Sequence, residues 1–190
     1  MSVNVYCAVL AAGRSSRFGD TKQLVCVDGD TLVARAAVAA DAACPGRSLL
    51  IAGHDAQQVI TASGNHCRAT VINDRYREGI GTSIACAVRA VQHAANGLLI
   101  TLADQPRVTS EHLAALLAAF QLAPDIAVAS RYDGTLGPPA VLPRSMFADL
   151  VMLKGDRGAK HWLMASTCNV IDCEAAAKDI DRPGDLADLD

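Results

Sequence analysis

Aromatic side chains are scarce in this chain of 190 residues, at 4%, so there is little surface on which unpaired bases could stack. No nucleic-acid partner is expected. There is no strong excess of either charge: 17 basic and 20 acidic residues leave a net charge of −3, too balanced for a face that grips a polymer or a membrane. No apolar run approaches the roughly 18 residues of a membrane span, and no basic segment leads into a short apolar core and cleavage site. No membrane partner is expected, and the cytoplasm is the expected compartment. Metal-type cysteine spacing is also missing. The seven cysteines (Cys7, Cys26, Cys44, Cys67, Cys86, Cys168, Cys173) are odd in number and scattered through apolar stretches. They read as reduced core thiols, and no structural zinc is expected.

What is present is apolar and regular. With 51% hydrophobic and only 19% charged residues, the chain has ample material for a core and is not a disordered tail. Apolar runs of strand length alternate with Ala-rich segments of helical period, the pattern of a mostly parallel sheet covered on both faces by helices. Strands are expected at Val5–Leu10, Leu49–Ala52, Ala69–Ile72, Leu98–Leu102, Ile126–Ala129 and Asn169–Ile171. Helices are expected at about Thr31–Ala43, Ala56–Ala62, Ser83–Ala94, Ser110–Phe120, Met146–Leu153 and Ala159–Ala165, with one more after Pro183. Gly134, Gly137, Pro138 and Pro139 make the stretch between Arg131 and Pro143 read as turns, expected to build a second face of a binding pocket.

The first strand runs directly into Leu10-Ala11-Ala12-Gly13-Arg14-Ser15-Ser16-Arg17-Phe18-Gly19, with Lys22 close behind. Loops at the C-terminal ends of parallel strands are where α/β folds bind ligands. Small residues at Ala11, Ala12 and Gly13 let backbone N–H groups approach a phosphate, and Ser15 and Ser16 add hydroxyl donors. Arg14, Arg17 and Lys22 face only Asp20, so the segment is positive inside an acidic protein. A polyphosphate fits it. The spacing is neither G-x-x-x-x-G-K-[ST] nor G-x-G-x-x-G, which excludes the commonest ATPase and dinucleotide fingerprints; the bland alternative is a glycine turn with solvated arginines.

Asp104 follows the buried strand Leu98–Leu102 and so lies on the same sheet edge as that loop. A carboxylate there needs a cation or several donors. Mg²⁺, which takes one or two carboxylates together with phosphate oxygens and water, is the expected partner; an Asp-Gln-Pro turn is the plainer reading. Farther on, alternation places Asp179 and Asp181 on one face with Ile180 on the other. Asp181 is the second candidate metal ligand, against the alternative of capping the helix after Pro183, and Asp185 is expected to face solvent. Gly79-Ile80-Gly81-Thr82-Ser83 is expected to precede a helix and offer donors at its N-terminus. His54, His66, His93 and His112 pair with no Ser or Cys motif, and no nucleophilic triad is visible.

Five blocks in order, the L-A-A-G-R-S-S-R-F-G loop with its Lys, E-G-I-G-T-S at 78–83, L-A-D-Q-P at 102–106, G-D-R-G-A-K at 155–160 and D-I-D-R-P-G-D-L at 179–186, resemble the nucleotidyltransferase family, and more narrowly its molybdenum-cofactor cytidylyltransferase branch. The resemblance implies a Rossmann-like three-layer α/β/α sandwich of the nucleotide-diphospho-sugar transferase type. It also implies a single NTP-transferase domain over 1–190, with a nucleotide part at about 1–106 and an acceptor part at about 107–190. It makes Gly81, Thr82 and Ser83 nucleoside-contacting, with Leu10, Ala11, Ala12, Gly13, Ser15 and Ser16 around the phosphates, and Arg14, Arg17, Lys22 and Asp104 catalytic. Ala12, where the guanylyl branch tends to glycine, implies CTP as the nucleoside triphosphate; a molybdopterin-type acceptor and a molybdoenzyme partner follow from the branch. Phe18 stands for the commoner Met, Gly184 for the usual Glu, and Gly137-Pro138-Pro139 departs from Gly-x-Pro. His161 and Trp162 beside Lys160 are candidates to contact a pterin phosphate, with helix packing favoured for Trp162. The rival activities are a guanylyltransferase or phosphosugar nucleotidylyltransferase of the same fold, or a non-catalytic chaperone that delivers cofactor to a molybdoenzyme.

Overall fold

The computed structural model describes residues 3–165 and 167–189, apart from the side chains of His161, Asp188 and Leu189. In chain order the strands and helices are β1 (Val5–Ala11), β2 (Cys26–Val27), β3 (Asp30–Thr31), α1 (Leu32–Ala43), β4 (Ser48–Ala52), α2 (Ala56–Ala62) and β5 (Ala69–Ile72). There follow α3 (Ile80–Val91), β6 (Gly97–Leu102), α4 (Ser110–Leu122), β7 (Ala127–Tyr132), β8 (Thr135–Pro143), α5 (Phe147–Leu150), α6 (Ala159–Ala165) and β9 (Cys168–Asp172). The main sheet has seven strands in the order β5-β4-β1-β6-β8-β7-β9. All neighbours run parallel except around β8, which is antiparallel to both β6 and β7.

Period-two alternation along the strands divides the core. Ala8, Leu10, Leu98 and Ile100 face one side with Ile84 and Val88 of α3 and Leu163 of α6. Cys7, Val9 and Leu99 face the other, against Val33 of α1 and Leu113, Leu116 and Phe120 of α4. Helices therefore cover both faces, giving the three-layer Rossmann-like α/β/α arrangement. Two helices start where side-chain caps dictate: Thr31 accepts from the Ala34 N–H and Thr109 from the His112 N–H. No helix among the described residues is long and apolar enough to cross a membrane.

Several expectations need correction. The stretch 131–143 is not a set of turns. It is the end of β7, a tight turn at Asp133-Gly134 and the nine-residue β8. The prolines are tolerated because the β7–β8 register shifts between Ala129 and Ser130, so the ladder is already broken beside them. Their carbonyls remain useful: Pro139 O accepts from Ser130 Oγ, and Pro138 O from Tyr132 Oη and Gln105 Nε2. α3 starts at Ile80 rather than Ser83, which draws Gly81, Thr82 and Ser83 into its first turn. The segment from Met146 narrows to the four residues of α5, and residues Pro183–Leu189 form 3₁₀ turns rather than an α-helix.

Candidate active site

β1 and β6 are parallel neighbours in register, Leu10 opposite Leu102, and the Ala103 N–H donates to Leu10 O. The two loops that follow them therefore leave the sheet side by side. Between them opens a cleft of about 520 Å³. One wall is the loop after β1, presenting Leu10, Ala12, Gly13, Arg14, Ser15, Ser16 and Arg17, with Lys22 and Gln23 behind it. The other is Tyr76, Arg77, Gly79, Ile80 and Ser83, and Leu102, Asp104, Asp156 and Asp181 complete the lining. Ala11 is not in the lining; it is 1% exposed and packs into the core below.

The loop holds its own shape. Ser15 takes a left-handed conformation (φ 52), and its carbonyl accepts from the N–H groups of Phe18 and Gly19. Its hydroxyl donates to Gln23 Oε1 and accepts from the Lys22 N–H, while Gln23 Nε2 donates to Gly13 O at 3.1 Å. The expectation that Ser15 offers a hydroxyl donor to a phosphate is corrected: its proton is already engaged in fixing the loop. Gln23, missed from sequence, is the brace.

At the sheet edge the Lys22 ammonium lies 2.7 Å from Asp104 Oδ2 and 2.7 Å from Asp181 Oδ1, and Arg17 reaches the other Asp181 oxygen at 3.0 Å. The Ile180 N–H donates to Asp104 O, and Ile180 is buried, so Asp181 is turned toward the cleft as the alternation implied. Burial by itself would push the Lys22 pKa down, but the charges and hydrogen bonds of Asp104 and Asp181 outweigh it and hold it above its ordinary value. The hydrogen bond from Lys22 holds the Asp181 carboxyl below the usual carboxylate value, with Arg17 adding to it against partial burial. Asp179 is pushed up, first by burial and then by the negative charges of Asp104 and Asp181.

A depressed carboxyl stabilises the fold above its ordinary pKa and loses that contribution as pH falls through its lower folded value. The stability difference between wild type and Asp181→Asn, measured by urea unfolding, is therefore expected to be full near neutrality and to shrink below about pH 4. A difference that persisted undiminished in acid would contradict the ion pair.

Asp104 Oδ1 is buried and has no hydrogen-bond partner among the described residues. Such an atom is costly unless something cationic meets it. Among the described residues no three His, Cys, Asp or Glu side chains converge as a self-sufficient metal cage. That donor set suits an ion which takes one or two carboxylates and draws its other oxygens from phosphate and water, as Mg²⁺ does.

The opposite wall depends on close backbone approach. A Cβ on Gly79 (φ +109) would fall 2.3 Å from the Gly155 carbonyl carbon, and the Gly81 N–H donates to Gly155 O, so the G-D-R-G-A-K loop is locked against the start of α3 and brings Asp156 to the cleft. Gly81 and Thr82 do not line the cleft, contrary to expectation. Gly81 packs under the 155–157 backbone, and the Thr82 hydroxyl bonds inward to Arg75 O and Gly79 O. Ser83 does line it. Tyr76 and Arg77 went unrecognised; Arg77 lies 5.7 Å over the Tyr76 ring, which is 5.8 Å from His54. Their only signal was position, immediately before the E-G-I-G-T-S block in a chain poor in aromatics.

Three further expectations change. No residue of 131–143 lines the cleft, although that stretch touches Gln105 beside Asp104. Asp185 is not simply solvated: its carboxylate accepts from the N–H groups of Asp181 and Arg182 and so fixes the backbone that carries Asp181. His112 does pair with a serine, Nε2 to Ser130 Oγ at 2.7 Å, but Ser130 is wholly buried and bonds onward to a carbonyl, so the pair is structural. Trp162 packs against the core cluster of α3, and the side chain of His161 lies outside the described residues. All seven cysteines are free thiols, Cys26 exposed.

Known proteins resemble this chain along most of its length. The molybdenum cofactor cytidylyltransferase of Escherichia coli K12 is 25% identical over 183 residues, 95% of this chain and 92% of that protein. The purine catabolism protein PucB of Bacillus subtilis 168 is 33% identical over 114 residues, 60% of this chain, and the match spans about half (52%) of PucB. Among solved structures, Rv0371c of Mycobacterium tuberculosis H37Rv superposes with a TM-score of 0.83 at 26% identity, covering 100% of this chain and 98% of that one. A manganese complex of the same protein gives 0.80 at 25%, covering 98% of each chain. Residues 7–170 match the model of the MobA-like NTP transferase domain, and by that match, which takes in both walls of the cleft up to Asp156, the chain belongs to the MobA-like NTP transferase family.

Proposed function

We propose that this chain is a magnesium-dependent nucleotidyltransferase that moves CMP from CTP onto the terminal phosphate of a molybdopterin-type cofactor, releasing pyrophosphate. The observation that carries the reading is the meeting of Lys22, Asp104 and Asp181 at 2.7 Å on the rim of the cleft, with the second Asp104 oxygen left over. The near full-length match to a molybdenum cofactor cytidylyltransferase supports the acceptor. Residues from 1 to about 106 supply most of the nucleotide side and those from about 107 to 190 the acceptor side, with Asp156 and Asp181 reaching back to the nucleotide cleft.

An acceptor phosphate oxygen attacks the α-phosphorus in line, forming the new P–O bond as the bond to the bridging oxygen of the leaving pyrophosphate breaks. The attacking phosphate has a second pKa of about 6 and is already anionic near neutrality, so no strong base is required. The protein's work is positioning and charge neutralisation. Arg14 and Arg17, exposed on the loop, and Lys22 at its base meet the β- and γ-phosphates. Asp104 and Asp181 would hold magnesium, which when bound supplies Lewis-acid neutralisation of phosphate charge. Gln23 keeps the loop in shape through Gly13 and Ser15. Ala12 lines the cleft, with its methyl packed between Gly53 and Tyr76, and on this reading a residue larger than glycine there leaves less room for a purine.

Incubation with labelled CTP, Mg²⁺ and molybdenum cofactor, followed by mass analysis, is expected to give the cytidine dinucleotide form of the cofactor and pyrophosphate. Equal use of GTP would sink the Ala12 argument and favour a guanylyltransferase. Nucleotide binding without turnover in the presence of cofactor and Mg²⁺ would favour the chaperone.

A further inference from the structure

Asn73 follows the end of β5, is 4% exposed and does not line the cleft, yet its side chain bonds to three groups on the segment from Arg75 to Ser83 that carries one cleft wall. Its Oδ1 accepts from the Arg75 N–H at 3.0 Å. A backbone N–H can only donate, so this bond fixes which way round the amide lies, and Nδ2 must face the two hydroxyls beyond it. Nδ2 donates to Thr82 Oγ1 at 2.9 Å and to Ser83 Oγ at 3.0 Å. The two hydroxyls then differ. Thr82 sends its proton to the carbonyls of Arg75 and Gly79, 3.0 and 2.9 Å away. Ser83 has accepted from Asn73 and has no acceptor for its own proton in the protein among the described residues, while its side chain borders the cleft.

We infer that Asn73 is a positioning residue for nucleotide recognition: by donating to Ser83 Oγ it fixes that hydroxyl and leaves its proton for the cleft, where it donates to an acceptor atom on the nucleoside half of the substrate. The inference rests on the transferase reading, which puts the phosphates on the wall of Arg14, Arg17 and Lys22 and leaves the Ser83 wall to the nucleoside. Asn73 also anchors the segment carrying Tyr76 and Arg77, since the Tyr76 N–H donates to its backbone carbonyl and the Arg75 N–H to its side-chain Oδ1. Asn73→Asp would reverse the relay, because a carboxylate accepts where the amide donated and would draw the Ser83 proton away from the ligand.

The test is titration of wild type, Ser83→Ala, Asn73→Asp, Asn73→Ser and the Asn73→Ser/Ser83→Ala double variant with two probes, CTP and inorganic tripolyphosphate, in Mg²⁺, alongside thermal unfolding. Loss of one hydrogen bond to the ligand predicts CTP binding about five- to tenfold weaker in Ser83→Ala. At least as much loss is expected in folded Asn73 variants, with tripolyphosphate affinity unchanged and the double variant no weaker than the poorer single one. A Ser83→Ala protein that binds CTP as wild type does would overturn the relay, and so would equal weakening of both probes or additive losses. Ser83→Ala leaves the buried amide in place, so the relay can be refuted even where an Asn73 variant fails to fold. Wild type that binds neither probe refutes the transferase reading itself, an outcome distinct from wild-type binding with unaffected variants.

Discussion

Asp104→Ala is expected to lower turnover by roughly 10²-fold or more, the scale on which removing one electrostatic stabiliser of a charged transition state acts. The carboxylate has two oxygens with separate fates: one meets Lys22 at 2.7 Å and the other is buried without a hydrogen-bond partner among the described residues. The first explains how the charge is tolerated at the sheet edge before substrate arrives. The second is the atom that a divalent ion would meet. Asp104→Asn keeps the volume and removes the charge, so it should lose nearly as much activity as alanine while unfolding closer to wild type. Pyrophosphate release measured against Mg²⁺ concentration decides the matter. Wild-type turnover in either variant would withdraw Asp104 from the mechanism.

Lys22→Ala should cost a similar factor, about 10²-fold, for a complementary reason. Its ammonium is the buried cation of the loop, with the side chain only 10% exposed, and it ties the first strand's loop to carboxylates that lie 82 and 159 residues away in sequence. Removal takes a positive charge from the leaving pyrophosphate and leaves Asp104 and Asp181 facing each other without their shared partner, so the melting temperature should fall as well. Because the proposed function has both residues act on one triphosphate, the Lys22→Ala/Asp104→Ala double variant should lose far less than the product of the two single losses. Multiplicative losses would show that they work at separate places.

The Arg14–Lys22 loop and Asp104 are legible in the sequence because both follow buried strands, and alternating apolar residues mark those strands with little ambiguity. Asp181 was reachable by the same logic, with Ile180 turned inward between two acids. Thr31 and Thr109 fixed the starts of α1 and α4 to within a residue through local hydrogen bonds of their own. Legibility ended where a residue's partner was distant. Gly137-Pro138-Pro139 looked like a turn because a broken ladder and receptive side chains on Ser130, Tyr132 and Gln105 cannot be inferred from the prolines themselves. Thr82 and Ser83 looked equivalent until Asn73 distinguished them. Asp185 looked solvated until its carboxylate was found holding the backbone of Asp181 and Arg182.

The amino-acid order by itself therefore determined the alternation of strands and helices, the sheet edge at which the cleft opens, and the chemical types gathered there, since all three follow from periodicities and from residues adjacent in the chain. Tertiary structure alone decided that Lys22 bridges Asp104 and Asp181, that β8 runs against its neighbours, and which hydroxyl faces the cleft. Those outcomes depend on the direction of individual hydrogen bonds between segments far apart in sequence, which no local pattern encodes.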